Sequence, residues 1–351
     1  MKPVLFVTNH APPFRVGAFA KLHEREDVVF ALIGGDVRHG GGAGGDAELP
    51  FPVIRPQQHE VARLASGYRA VVAGLSGRVA PFAAYLGARR ARVPFVLWAS
   101  LWAHPRTLPH AASYLVVRHL YRHADAIVTY GPHVSAYVRA KGATQPVFEA
   151  AQSVDNEYWK LQSSPIRRAG FQAAFVGRMA GEKGPQVLIQ AWSSSGLTAL
   201  SAALVLVGGG PIRARAVATG AVLPVGPQPP AEVRNFYAGS DVVVLPSVAT
   251  RDFREPWGLV ANEAFNQGVP VIATDAVGAV AGGLVRHERT GLVVPAGDVG
   301  ALAAALRRMH DEPELRARLG AAALEAVGAY THDAWAAGVS NALHSAGASR
   351  C

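Results

Sequence analysis

The chain has 351 residues, half of them hydrophobic and 17% charged, with a formal net charge of +9. That composition excludes an intrinsically disordered chain and is ample for two domains of ordinary size. A single cysteine, Cys351, excludes a disulfide framework and a thiolate metal site. The positive charge is uneven: residues 1–162 hold 18 Lys and Arg against 11 Asp and Glu, whereas residues 163–351 hold 16 against 14. A basic first half fits an anionic partner such as a lipid phosphate or membrane surface, and fits a plain bias toward arginine equally well. Met1-Lys2-Pro3 leads straight into a short apolar strand, so no leader is expected. The longest uncharged stretch, between Lys183 and Arg213, is broken by serine and glycine clusters and reads as helix plus strand, not as a membrane span.

In chain order, Pro3–Thr8 reads as a buried strand that exits through Asn9-His10-Ala11-Pro12-Pro13. Helical spacing over Val16–Glu26, a strand at Val28–Ile33 and a glycine-rich loop from Gly34 to Gly45 follow. Strands are expected at Phe51–Arg55, Ala70–Ala73, Val93–Trp98, Asp125–Thr129 and Pro146–Phe148. Helices near Glu60–Ser66, Val79–Arg90, Ala111–His123 and Val134–Ala140 alternate with them. The polar stretch Ala151–Gly170 reads as the linker, with the boundary after residue 162. A second strand series then runs through Phe171–Val176, Leu204–Val207, Val222–Val225, Val242–Leu245, Pro270–Ala273 and Leu292–Val294. Helices at Gly300–Met309, Pro313–Val327 and Thr331–His344 close the chain. The alternation predicts an α/β protein of two doubly wound Rossmann-like domains, residues 1–162 and 163–330, facing across a cleft. Residues 331–351 form a terminal helix, with a return to the first domain as one option.

Two stretches carry chemistry. The first, Val176-Gly177-Arg178-Met-Ala-Gly-Glu182-Lys183-Gly184, places a permissive glycine and two cations at the end of a strand, just before a helix. That arrangement suits a diphosphate, since arginine forks two oxygens and lysine acts as a point charge. The second is Glu255-Pro-Trp-Gly-Leu-Val-Ala-Asn-Glu263, read as a helix from Trp257 to Gln267 with Pro256 at its first position. Its first-turn amides, at Trp257, Gly258 and Leu259, would then attract phosphate or a sugar oxygen. A plainer account has Glu255 complementing the helix dipole and Glu263 on a solvated face.

Gly177-Arg178, Glu182-Lys183-Gly184, Val207-Gly208-Gly209-Gly210-Pro211 and Leu245-Pro246-Ser247 occur in the order found in the second half of family-4 retaining glycosyltransferases. The Glu255/Glu263 pair, Gly268-Val-Pro-Val-Ile272 and Gly291-Leu-Val-Val294 extend the match to about 130 residues, and the chain resembles that family, whose fold is GT-B. The resemblance implies a nucleotide-sugar donor held by the second domain. Arg178 and Lys183 would bind its diphosphate, and Gly258, Leu259 and Val260 would face phosphate and sugar oxygens. Glu263 would accept from the ribose hydroxyls, and Glu255 would touch the donor sugar near its reacting end. It also implies a phosphate-facing Gly17, although this chain has Val16-Gly17 where many members have adjacent glycines. His104, in the loop Trp98-Ala-Ser-Leu-Trp102-Ala-His104, resembles the family's cleft histidine. A lone histidine beside aromatics is also a common structural feature.

The reading is a retaining hexosyltransferase acting on a saccharide or lipid-linked acceptor, in cell-surface polysaccharide or glycolipid synthesis. It needs no cofactor beyond its donor substrate, and no metal, because no Asp-x-Asp occurs. It is placed in the cytoplasm, with peripheral contact at an anionic membrane left open and no nucleic-acid partner. The rivals are a nucleotide-sugar epimerase of similar shape and a non-catalytic nucleotide- or glycan-binding module. A dinucleotide dehydrogenase is disfavoured, because the first strand leads into Asn-His-Ala-Pro-Pro and not Gly-x-Gly-x-x-Gly.

Overall fold

The computed structural model describes residues 2–34, 49–75, 77, 79–211 and 222–349. Most of the glycine-rich loop between Gly34 and Gly45 lies outside the described residues. The chain divides into two compact units: residues 1–155 with 331–351, and residues 156–330.

The first unit opens with β1 (Val4–Thr8), α1 (Pro13–Glu26), β2 (Val28–Leu32), β3 (Val53–Ile54), α2 (Val61–Leu64) and β4 (Ala70–Gly74). It continues through α3 (Ala80–Ala91), β5 (Phe95–Ala99), α4 (Leu108–His123), β6 (Ala126–Thr129), α5 (Pro132–Ala140) and β7 (Val147–Glu149). The strands form one parallel sheet in the order β3-β2-β1-β4-β5-β6-β7. Every residue of β1, β4 and β5 is buried, as expected of a parallel strand covered on both faces.

The second unit starts with α6 (Asn156–Lys160), β8 (Phe171–Val176), α7 (Pro185–Ser194), β9 (Ala202–Val207), β10 (Val222–Gly226), α8 (Pro230–Ala238) and β11 (Val242–Leu245). Then come α9 (Val260–Asn266), β12 (Val271–Thr274), α10 (Gly278–Ala281), β13 (Gly291–Val294), α11 (Val299–Asp311) and α12 (Pro313–Val327). Its parallel sheet runs β10-β9-β8-β11-β12-β13. Trp192, Leu188, Leu204, Leu206, Ile272, Leu306 and Leu319 are fully buried in its core. Each such large apolar side chain contributes about 1.5–3 kcal/mol by leaving water. Both sheets reverse direction of winding at one pair of strands, β1/β4 and β8/β11. In open α/β sheets ligands bind beyond the carboxyl ends of such a pair.

The boundary falls after Asp155, not after residue 162. Residues 156–160 form α6, and the Asn156 amide donates to the Val327 and Tyr330 carbonyls at 3.3 and 3.4 Å. The Asn266 amide donates in turn to Asn156 Oδ1 at 2.8 Å, so this part of the expected linker belongs to the second unit.

The last helix, α13 (His332–Ser345), packs within the first unit. Its Trp335 is 1% exposed and joins Phe6, Phe19 and Trp98 in one aromatic cluster, with centroids 5.7–6.4 Å away. Buried Glu26 at the end of α1 fastens the far end of this helix. It accepts from Ser340 Oγ, lies 2.8 Å from His344 Nε2, and pairs with Arg69 at 2.8 Å. Three partners offset the cost of burying that carboxylate.

Candidate functional site

The loops beyond β8, β9, β10 and β11 are knitted together by their backbones. Gly177 N–H donates to the Val207 carbonyl at 2.9 Å, Gly208 N–H to the Gly226 carbonyl at 2.8 Å, and Val248 N–H to the Glu182 carbonyl at 3.0 Å. Gly177 itself has φ +148°, a left-handed value that turns the chain out of β8. Gly184 explains how the β8 loop comes so close to β11. Its φ is +68°, and a Cβ there would sit 1.9 Å from the Pro246 carbonyl oxygen.

This contact sets Lys183 beside the loop that follows β11. Its ammonium group forms an ion pair with Glu255, whose carboxylate also accepts from Ser247 Oγ at 3.3 Å. The pair is well shielded, with side-chain exposures of 20% for Lys183 and 9% for Glu255. Arg178 pairs with Glu182 at 2.7 Å and stays more open to solvent. The sequence assigned Lys183 to a diphosphate and Glu255 to a sugar; the structure places the two side chains in direct contact.

The expected helix from Trp257 to Gln267 is shorter at its start, beginning at Val260. Gly258 has φ +98°, which an α-helix cannot accommodate. The preceding residues run alongside residues 277–279 instead: Gly278 N–H donates to the Glu255 carbonyl at 3.1 Å and Ala279 N–H to the Trp257 carbonyl at 2.6 Å. Pro256 is therefore not a helix-starting proline, and Trp257 is not a first-turn residue. The Trp257 indole is buried, donating to Asn262 Oδ1 at 2.8 Å, with its ring 5.8 Å from that of Tyr330. Gly258, Leu259 and Val260 remain at the N-terminal end of α9, with Leu259 as its cap residue.

Glu263, one turn into α9, accepts from the Tyr237 hydroxyl at 2.7 Å. Burial pushes its carboxyl up to about 7, against a smaller opposing effect of the Tyr237 hydrogen bond. The same surroundings raise the Tyr237 phenol well above its ordinary value, burial first and the neighbouring carboxylate second. Tyr237 was missed in the sequence. Its only signal there is an aromatic at the inward face of α8, which reads as core.

Gly17 and His104 lie in the first unit. Gly17 sits inside α1, and a Cβ there would come within 2.4 Å of the His332 ring on α13. That contact gives Gly17 a packing role between the two helices, beside the phosphate-facing role the resemblance implies. His332 lies against Ser153 Oγ at 3.0 Å, and burial lowers its pKa. His104 follows β5, and its Nε2 lies 2.9 Å from the His110 carbonyl oxygen. A carbonyl only accepts, so Nε2 carries the proton and Nδ1 is an acceptor. Nδ1 is buried and has no hydrogen-bond partner among the described residues.

Residues 160–326 match the family model of glycosyl transferases group 1. The match covers nearly all of the second unit and just under half of the chain. The matched segment runs from the end of α6 through most of α12, and so includes Lys183, Glu255 and Glu263. Among curated proteins, a D-inositol 3-phosphate glycosyltransferase of Corynebacterium glutamicum is 36% identical over 189 residues, 49% of this chain and 43% of that protein. A Streptomyces scabiei protein of the same name is 39% identical over 103 residues, 28% of this chain and 20% of that protein. The chain thus spans less than half the length of the curated relatives it matches. Solved structures align over nearly the whole chain. Anabaena HepE in complex with UDP and glucose superposes with a TM-score of 0.76 at 19% identity, covering 98% of this chain and 100% of that one. Sucrose-phosphate synthase from Thermosynechococcus elongatus gives 0.75 at 19% identity, covering 97% and 98%. The fold is that of GT-B glycosyltransferases, two Rossmann-like units with parallel sheets.

Proposed function

We propose that the protein is a retaining glycosyltransferase that moves a hexose from a nucleoside diphosphate to an acceptor hydroxyl. The Lys183–Glu255 pair, at the β8/β11 crossover of a group 1 domain, is the observation that carries this reading. In the reaction the bond from the anomeric carbon to the diphosphate breaks and its electrons go to the departing phosphate oxygen. The acceptor hydroxyl bonds to that carbon on the same face, and its proton passes to the leaving group. Lys183 and Arg178 offset the negative charge that grows on the diphosphate. Donor binding would draw the Lys183 ammonium toward the phosphates and free the Glu255 carboxylate for a sugar hydroxyl. Glu263 accepts from the ribose, and the amides of Gly258, Leu259 and Val260 line the phosphate end.

The absence of Asp-x-Asp and the presence of two cations support a metal-independent reaction. Turnover of a nucleotide-sugar donor is expected to survive EDTA unchanged. Loss of activity on chelation, restored by a divalent ion, would rule out the metal-free scheme. Acceptors to be tried are lipid-linked and free saccharides, together with a phosphorylated polyol, the class named by the curated relatives.

For the acceptor side, α4 supports contact with an anionic membrane. Leu108, Leu115 and Val116 are 88%, 71% and 40% exposed, and Arg118 and Arg122, one turn apart, are exposed beside them. Arg89 is less available to a lipid surface, because it pairs with Asp125 at 3.0 Å and donates to the His123 carbonyl. The protein is expected to sediment with anionic vesicles at low salt, with about 1 kcal/mol per cation near the surface. Arg118→Glu with Arg122→Glu should release it more than Arg89→Glu does. Equal sedimentation with neutral vesicles would leave composition as the cause of the basic first half.

A further inference from the structure

The second unit holds another basic concavity, built from residues that the proposed chemistry does not use. An open groove of about 580 Å³ runs between residues 283–290 and one face of α12. Its lining holds Arg286, Arg289 and Arg318 with the carboxylate of Glu325 and the ring of Tyr330, and Arg318 also lies 3.8 Å from the Glu288 carboxylate. Small residues, Gly283, Ala322 and Ala326 among them, leave the space open. That volume is ordinary for a small-molecule site and ample for a sugar-sized phosphate ester.

The cations stand on a stiff frame. Thr290 Oγ1 donates to the Leu284 carbonyl and accepts from Arg286 N–H, both at 2.8 Å. Val293 N–H donates to His287 Nδ1 at 3.0 Å, and Glu288, in the left-handed region at φ +61°, is gripped by Arg308. Arg318 donates to the Glu288 carbonyl at 2.9 Å, which fixes its place on the groove wall. The guanidinium groups of Arg286 and Arg289 are exposed and have no hydrogen-bond partner among the described residues. Two unpaired forks on a braced turn, with a third opposite on a helix, are matched to a group with several charged oxygens.

We propose that this groove binds a phosphate monoester, carried by a small phosphorylated metabolite or by a lipid head group. It is a separate site from the donor crevice: no lining residue is shared with the Lys183–Glu255 cluster. Trp257, two residues after Glu255 in the chain, has its ring against Tyr330 and Gly282.

The test is calorimetric titration of the full chain with glucose 6-phosphate, and separately with vesicles of phosphatidic acid in phosphatidylcholine. Binding of either probe is expected, and which one binds names the source. Arg286→Ser with Arg289→Ser, both exposed, should weaken it by about tenfold or more, while Lys183→Ala should leave it within about twofold. The proposal is overturned if neither probe binds at millimolar phosphate, if the double variant binds as well as the wild type, or if Lys183→Ala abolishes binding. The last result would assign the anion to the donor crevice.

Discussion

Replacing Lys183 with alanine is expected to lower turnover by about 10²–10³-fold, the range found when one preorganised group stabilising transition-state charge is removed. The same substitution should also destabilise the fold, because Glu255 is buried and loses its counter-charge. Removing one partner of a buried pair costs about 3–5 kcal/mol, much of it the unpaired charge that remains. The two effects separate in the double variant. Lys183→Ala with Glu255→Gln should recover most of the lost melting temperature, since Ser247 Oγ can still bond the amide. It should recover none of the turnover. Thermal unfolding and steady-state kinetics on the wild type and these two variants decide the matter. Full recovery of activity with stability would make the pair structural.

Glu263 offers a second large effect, read through pH. Its carboxyl stands at about 7 in the fold, above the ordinary carboxylate value of 4.5. Between those values the folded state holds a proton that the unfolded chain has released. Stability is therefore fully present below pH 4.5 and declines as pH rises to about 7, by about 3 kcal/mol in all. Glu263→Gln should remove that decline and be the more stable protein above pH 7. Donor binding should run the opposite way. Ribose hydroxyls donate best to the ionised carboxylate, so donor affinity is expected to climb with pH and level off above 7. Below pH 7 about one proton should be released for each donor bound, measurable by calorimetry in buffers of different ionisation enthalpy. Donor affinity flat from pH 5.5 to 8 would remove Glu263 from the ribose contact.

Both sheets were legible because parallel strands buried on two faces appear as short apolar runs, such as Val4–Thr8 and Val242–Leu245, and alternate with helical spacing. Gly177, Lys183 and Glu255 stand just beyond the strands that flank the reversal in winding, a position that the alternation of elements already places at the strands' carboxyl ends. What escaped depends on partners far away in the chain. Nothing around Gly17 in the sequence shows that α13 brings His332 against it. The return of the last helix to the first unit was one option in the sequence, but the place of Trp335 in the aromatic cluster, more than 200 residues from Trp98, was not. Pro256-Trp257 has the composition of a helix start. The left-handed Gly258 and the pairing with residues 277–279 override it, as tertiary contacts commonly override local propensity. Asn156, in a stretch polar enough to read as linker, is instead held by Val327, Tyr330 and Asn266.

The central claim is tested most directly by proton NMR of the full chain with a panel of α-linked nucleoside-diphosphate hexoses and the acceptors named above. The account predicts acceptor-dependent release of nucleoside diphosphate and a new anomeric signal of the same α configuration, both strongly reduced in Lys183→Ala. A donor isomerised without acceptor, or bound to saturation and never consumed with any acceptor, would contradict it.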